Sequence, residues 1–183
     1  MKTRKKILDY WKNPDDGRNG YEYYLGGYER SLFLAELFLK YVPLDSDILE
    51  LGCNVGRNLK VLECVGYENI AGVEVNADAV LNKITDKQIF LNTIEDYVVA
   101  HPQSDVIFTM ATLEHIHPDS EWVFDWMRGA KMIITIEDER QRSDRHFPRN
   151  YKRIFPGQIY SRNCKNVVGL NKNFVARVFN LEN

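Results

Sequence analysis

Between residues 44 and 137 the chain alternates short apolar runs with amphipathic ones. "DILEL" (47–51), "IAGVEV" (70–75), "QIFL" (88–91), "DVIFTM" (105–110) and "KMIITIE" (131–137) have strand length and little polar interruption. Near-continuous apolarity marks strands covered on both faces. The segments between them read as helices. "NLKVLECVG" closes at Gly66, and Asn76 caps a short helix running to Leu81. "IEDYVVA" follows, and then "PDSEWVFDWM" (118–127), with Trp122, Val123, Trp126 and Met127 on one face. Upstream, Leu34, Leu37, Phe38 and Tyr41 recur at helical spacing and the run stops before Pro43. Strands alternating with helices predict an α/β fold with a doubly wound, mostly parallel sheet and helices on both faces.

The two ends depart from this rhythm. Residues 12–28, "KNPDDGRNGYEYYLGGY", hold a proline, four glycines and two aspartates and read as a loop or arm. Residues 137–155 are polar and basic. "QIYSRN" and "FVARVFN" (174–180) then read as two strands joined by a long turn, an antiparallel hairpin that brings the sheet to seven strands. The expected organisation is one domain over 1–183. It comprises an arm and helix (1–43), a central core (44–137), and a loop with the hairpin (138–183). No internal repeat or low-complexity tract is visible.

Composition narrows the function classes. The 44% hydrophobic fraction in 183 residues suits one globular core. The 24 basic and 26 acidic residues nearly cancel, which argues against a general nucleic-acid or membrane-surface binder. No apolar run approaches the ~18 residues of a membrane span, and no apolar segment follows the basic "MKTRKK" as a signal peptide requires. Cys53, Cys64 and Cys164 are odd in number and lack metal-binding spacing. That pattern fits a reducing cytoplasm.

The first strand-to-helix turn carries the most specific stretch, "LELGCNVGRN" (49–58). In open α/β sheets, ligands sit beyond the carboxyl ends of the strands, and glycine lets the backbone turn tightly there. A dinucleotide G-x-G-x-x-G would place glycines where Gly52, Asn54 and Arg57 stand, and two of the three fail. That argues against a nucleotide-dependent oxidoreductase. No G-x-x-x-x-G-K-[ST] is present. What remains is E-x-G-x-N-x-G: Glu50, Gly52, Asn54 and Gly56.

This stretch resembles motif I of class I S-adenosylmethionine-dependent methyltransferases. Glu74 in "GVEVN" stands 22 residues after Gly52, at the end of the second strand, where those enzymes carry a ribose-binding carboxylate. "NTIEDY" resembles their adenine segment, with Thr93 in place of the usual Asp and Ile94 against the ring; Glu95 or Asp96 could supply the missing contact. "DVIFTMATLEHIHP" is similar to their fourth-strand segment. The resemblance implies S-adenosylmethionine as cofactor and S-adenosylhomocysteine as product. It implies Glu50, Gly52, Cys53, Asn54, Gly56, Glu74, Val75, Thr93, Ile94, Thr109 and Met110 as cofactor-binding residues. It also implies a seventh strand inserted antiparallel between the fifth and sixth.

The acceptor is less legible. Candidate bases past strands four and five are Glu114, His115, His117, Glu137 and Asp138, with His115, His117 and Asp138 taken as the catalytic set. No metal site is expected, since His115 and His117 with Glu114 or Asp119 find no third partner in the sequence. The basic cluster Arg140, Arg142, Arg145, Arg149, Lys152 and Arg153 borders the expected acceptor pocket. Arg145 and Arg149 could fork onto a small anionic acceptor such as a sugar or nucleotide-linked sugar, with O-methylation favoured. No [DN]-P-P-[YF] follows strand four, so no nucleic-acid partner is expected. A small-molecule partner is expected and a membrane is not, while a homodimer and a non-catalytic cofactor-binding role stay open. Tyr21, Tyr23, Tyr24 and Tyr28 could form a lid.

Overall fold

Ile48–Leu51 (β1) is buried at all four residues, as a central parallel strand requires. It pairs in parallel with Ile70–Glu74 (β2) and with Val106–Met110 (β4). Gln88–Leu91 (β3) flanks β2, and Met132–Asp138 (β5) flanks β4. Phe174–Asn180 (β7) runs antiparallel to β5, with Ile133 opposite Phe179 and Ile134 opposite Val178, and Gln158–Asn163 (β6) closes the edge beside it. The seven-stranded order is β3-β2-β1-β4-β5-β7-β6, the mixed sheet with an inserted antiparallel strand that the family resemblance implies. This computed structural model describes residues 2–14 and 19–182, so residues 15–18 of the expected arm lie outside it.

Helices cover both faces. On one face Tyr28–Tyr41 (α2) and Arg57–Cys64 (α3) pack Phe38, Leu59 and Leu62 against Phe108 and Ile134. The Phe38 and Phe108 rings meet edge-to-face at 5.0 Å. On the other face Ile94–Ala100 (α5), Trp122–Met127 (α6) and Tyr151–Ile154 (α7) bring Val98, Phe124, Met127 and Tyr151 onto Ile107 and Ile133. Ala77–Leu81 (α4) is a short turn whose cap is the Asn76 side chain, accepting the N–H groups of Asp78 and Ala79.

Three expectations change. The helix expected over 118–127 is a 3-10 turn, Pro118–Ser120, followed by α6, and its inward face is Val123, Phe124 and Met127 while Trp122 is exposed. The polar run after β5 contains α7, held inward by the buried rings of Tyr151 and Phe155. The N-terminal segment forms Arg4–Lys12 (α1), capped by Thr3 accepting from Lys6 N–H, with Ile7 buried. Among the described residues, no helix is long and apolar enough to cross a membrane.

Candidate active site

The loop after β1 is shaped by backbone that only certain residues tolerate. Gly52 and Gly56 both sit at φ +76°, and Asn54 between them at φ 49°. A Cβ on Gly52 would stand 2.5 Å from Thr112 Oγ1, so this glycine brings the loop against the end of β4. A Cβ on Gly56 would meet Thr85 Cγ2 at 2.5 Å, on the side of the loop away from the cavity. Gly52 and Asn54 line a cavity of about 870 Å³, counted with its open mouth, across the carboxyl ends of β1, β2 and β4.

Four residues expected at the cofactor do not line that cavity. Glu50 is buried beneath the loop, where its Oε1 accepts the Asn58 side-chain N–H at 2.6 Å. Burial pushes its pKa to about 8. Cys53 turns toward β2; a Cβ on Gly72 would lie 2.5 Å from its sulfur. Gly56 opens α3, and Thr109 is fully buried within β4. The turn of the loop directs Gly52 and Asn54 to the cavity and these four residues to its support.

The end of the cavity over β2 is built around Glu74. Its Oε2 accepts Asn54 N–H at 2.7 Å, and its Oε1 accepts Val75 N–H and Asn76 N–H, each at 2.8 Å. A carboxylate offers about four lone-pair sites. Three are spent on backbone, and one remains for a group in the cavity, which Glu74 lines. The carboxylate therefore fixes the loop while keeping acceptor capacity for one hydrogen bond from the cavity. Burial raises its pKa, and the three backbone N–H groups oppose that rise. Val75 and Ile94 also line the cavity. Thr93 lines it too, but its hydroxyl caps α5 by accepting from Asp96 N–H. Asn92 and Glu95 also line this end; Asn92 Oδ1 accepts Thr93 N–H at 2.9 Å, and Glu95 accepts from Ser120 Oγ at 2.7 Å.

At the other end, β4 closes on Met110 and Ala111, which face the cavity. Ala111 holds φ 56°, an uncommon conformation for a residue with a Cβ. Its N–H donates to Ile136 O, and the next N–H, from Thr112, donates to Glu137 Oε2 at 2.9 Å. Glu137 also accepts Glu114 N–H. It is therefore a positioning residue for this loop, not an exposed base. Glu114 in turn accepts Asp138 N–H through Oε2. Burial pushes both glutamate carboxyls up, and for Glu114 the charge of Glu137 adds to that.

The three expected catalytic residues separate. Asp138 is buried and does not line the cavity; its Oδ1 caps the following turn by accepting Arg140 and Gln141 N–H groups. His117 lines the cavity, but its Nδ1 accepts Asp119 N–H at 3.1 Å, so the neutral ring carries its hydrogen on Nε2 and is a donor. His115 has the opposite tautomer. Its Nδ1 lies 2.8 Å from the Arg145 carbonyl, which can only accept, so Nδ1 carries the hydrogen and Nε2 keeps its lone pair. Burial pushes the His115 pKa down to about 3, so the ring is neutral.

The expected acceptor arginines are otherwise engaged. Arg149 donates to the carbonyls of Leu113, Phe147 and Ile116 and pairs with Glu121 at 2.9 Å. It clamps the loop after β5 onto the loop after β4 and has no fork left for a ligand in this arrangement. Arg145 stacks on the Tyr10 ring at 3.6 Å.

The sequence reading missed the wall that α1 builds. Ile7, Leu8 and Trp11 line the cavity, Arg4 pairs with Glu95 at 3.5 Å, and the Trp11 ring packs on His115 at 4.5 Å. Of the four tyrosines, Tyr24 alone lines the cavity, with its pKa raised to about 12 by burial and then by Glu74. Its 3-10 turn, Tyr21–Tyr24, is tied down by Arg57. That guanidinium donates to the carbonyls of Tyr24 and Gly26 and to Ser31 Oγ. Ser31 donates to Asn58 Oδ1, and Asn58 to Glu50, so one buried chain of hydrogen bonds joins the arm to β1.

No curated protein is a significant match to the sequence. Solved structures share the fold. The magnesium protoporphyrin IX methyltransferase of Synechocystis PCC 6803, with bound SAM, superposes with a TM-score of 0.70 at 10% identity, covering 97% of this chain and 95% of that one. PH0226 protein from Pyrococcus horikoshii OT3 gives 0.64 at 14% identity, over 98% and 99% of the two chains. A SAM-dependent methyltransferase from Archaeoglobus fulgidus gives 0.57 at 14%, over 85% and 98%. Residues 25–161 match a family described as a methyltransferase domain, a span that runs from the arm through every parallel strand and into β6. The match takes in most of the chain and both ends of the cavity, and by it this chain belongs to the methyltransferase-domain family.

Proposed function

We propose that the protein transfers the methyl group of S-adenosylmethionine to a hydroxyl oxygen of a small acceptor. The observation that carries this reading is the single cavity running from Glu74 to His115 over the ends of β1, β2 and β4. S-adenosylmethionine supplies an electrophilic methyl on a sulfonium, and its departure leaves a neutral thioether. The cavity residues fit that molecule. Glu74 keeps an acceptor site for a ribose hydroxyl, Ile94 offers an apolar face to a base, and Gly52 lets the loop lie low beside the chain of the ligand.

The protein's own contribution is alignment and exclusion of water. α1 covers the cavity with Ile7 and Trp11, and Tyr24 closes another side. His115 offers Nε2 to an acceptor hydroxyl, while His117 offers an N–H. A ring held neutral with a pKa near 3 orients a hydroxyl well but takes its proton poorly. The contacts of the basic residues add no support for an anionic acceptor: Arg149 serves backbone carbonyls, Arg4 pairs with Glu95 and Arg145 stacks on Tyr10.

Calorimetric titration with S-adenosylmethionine and S-adenosylhomocysteine, with NAD as control, tests the cofactor. Micromolar binding of the first two supports the reading. Binding of NAD in their place sinks it. An acceptor screen on hydroxylated metabolites follows, read by S-adenosylhomocysteine release.

A further inference from the structure

Two loops meet beside the acceptor end of the cavity, which His115 lines while Glu114 and His146 stand behind it. The loop after β4 carries Glu114 and His115, and the loop after β5 carries His146. One donor atom from each of these three side chains lies within 4.8 Å of the others. The sequence offered no third partner for the "EHIH" stretch because His146 is 31 residues away. The Arg149 clamp, which bonds the two loops together, supplies the proximity.

The ring nitrogens are oriented as ligands require. The Arg145 carbonyl fixes the His115 hydrogen on Nδ1, which leaves Nε2 for a cation, and Glu114 Oε1 stands 3.8 Å from that Nε2. His146 Nδ1 lies 2.6 Å from Ser143 Oγ, and in the tautomer where the ring donates to that hydroxyl its Nε2 keeps a lone pair for a cation. Metal-bound histidines characteristically donate the other N–H to a carbonyl or hydroxyl in this way. Ligand atoms about 2.1 Å from a tetrahedral zinc lie about 3.4 Å apart, so the pair from the β4 loop is already near that spacing. His146 sits on the 143–146 turn, half-buried, where small movements are cheap.

The surroundings are compatible with a cation. Glu114, Glu137 and Asp138 are all buried at this corner, and hydrogen bonds link each to the next. Among the described residues, none of the three forms an ion pair with a lysine or arginine, so no fixed cation competes for the place.

We propose that Glu114, His115 and His146 hold a divalent transition-metal ion at the acceptor end of the cavity, with an open coordination position toward the acceptor's oxygen. Two imidazole nitrogens and one carboxylate select a zinc-, cobalt- or manganese-like ion over magnesium or calcium. The role of the ion, though not its binding, rests on the methyl-transfer reading. With the ion bound, His115 Nε2 would hold the metal in place of a direct hydrogen bond from the acceptor; coordination of the acceptor hydroxyl would lower its pKa, and its proton would leave to solvent. The oxygen then forms the bond to the methyl carbon as the carbon–sulfur bond breaks, and the electron pair leaves with sulfur.

The test uses the full chain freed of any histidine tag and stripped with chelator. Titration with Co²⁺, followed by visible absorption, should reach one ion per chain with the intense bands of a low-coordinate site. Zn²⁺ should displace it. His146→Ala, on the surface turn, should weaken Co²⁺ binding by about 100-fold or more, and Glu114→Gln should do likewise. S-adenosylmethionine affinity, measured separately by calorimetry on the metal-free protein, should stay within about threefold in His146→Ala. Absence of stoichiometric Co²⁺ and Zn²⁺ binding overturns the proposal, as does His146→Ala binding as tightly as the parent. Metal binding without S-adenosylmethionine binding keeps the site and removes only its assigned role.

Discussion

Glu74 at the end of β2 accepts the backbone N–H of Asn54 at 2.7 Å, so the carboxylate that faces the cavity also holds the loop that shapes it. One side chain thus couples cofactor affinity to loop order. Glu74→Ala should weaken S-adenosylmethionine binding by at least about 30-fold, through the lost charge-assisted bond and the released loop together. It should also lower Tm, because three backbone N–H groups lose their acceptor. Calorimetry and thermal melting read the two effects. Unchanged affinity would remove Glu74 from the ribose site.

Arg57 should behave as the tether of the arm. Arg57→Ala leaves the carbonyls of Tyr24 and Gly26 without their donor and opens the chain of bonds through Ser31 and Asn58. A loss of about 2–3 kcal/mol is expected in urea denaturation. Hydrogen exchange over residues 21–28 should rise at the same time. If exchange there stays as in the parent, Arg57 is not the tether.

Arg149→Ala should be a stability variant and not an acceptor variant. Its guanidinium serves three carbonyls and Glu121. The expected cost is about 2–4 kcal/mol, with KM for the eventual acceptor little changed at a temperature where the variant remains folded. A large rise in KM with unchanged stability would restore the arginine to the acceptor pocket.

Stability should fall as pH rises. Glu50 titrates near pH 8 in the fold against 4.5 as its ordinary value, and Glu74, Glu114 and Glu137 are raised in the same direction by burial. Between those limits the folded state binds more protons than the unfolded chain, so the slope of unfolding free energy with pH is negative. The stabilisation is full below about pH 4.5 for Glu50 and is lost as pH climbs through 8. Tm at pH 9 should lie at least about 3 °C below that at pH 6. Glu50→Gln keeps an acceptor for Asn58 and should flatten this dependence. An equally steep profile in the variant would assign the titration elsewhere.

The parts of the fold that depend on local pattern were legible in the sequence. The five parallel strands are near-continuous apolar runs, and the Asn76 cap is read from one side chain beside a short helix. What depends on distant surfaces was not. In α1 only Ile7 is buried, and its docking partners, Glu95 and His115, are about a hundred residues away. The motif glycines and acids could be placed in the loop, but the chain trace decides that Gly52 and Asn54 face the cavity while Glu50 and Cys53 turn from it. A run of basic residues says nothing about which carbonyls lie within reach, so Arg149 read as a ligand fork and proved to be a clamp.

The strand that comes last in sequence, β7, lies inside the sheet and not at its edge. Until it docks, β5 presents an unpaired flank carrying the buried side chains of Ile133, Ile134 and Ile136. During synthesis the parallel half can assemble with that flank open, a template for pairing with a neighbouring nascent chain. The same order makes damage near β7 severe. A substitution that delays its pairing, such as a proline at Ala176 or Val178, would show first as inclusion bodies and poor soluble yield, before any effect on methyl transfer could be assayed.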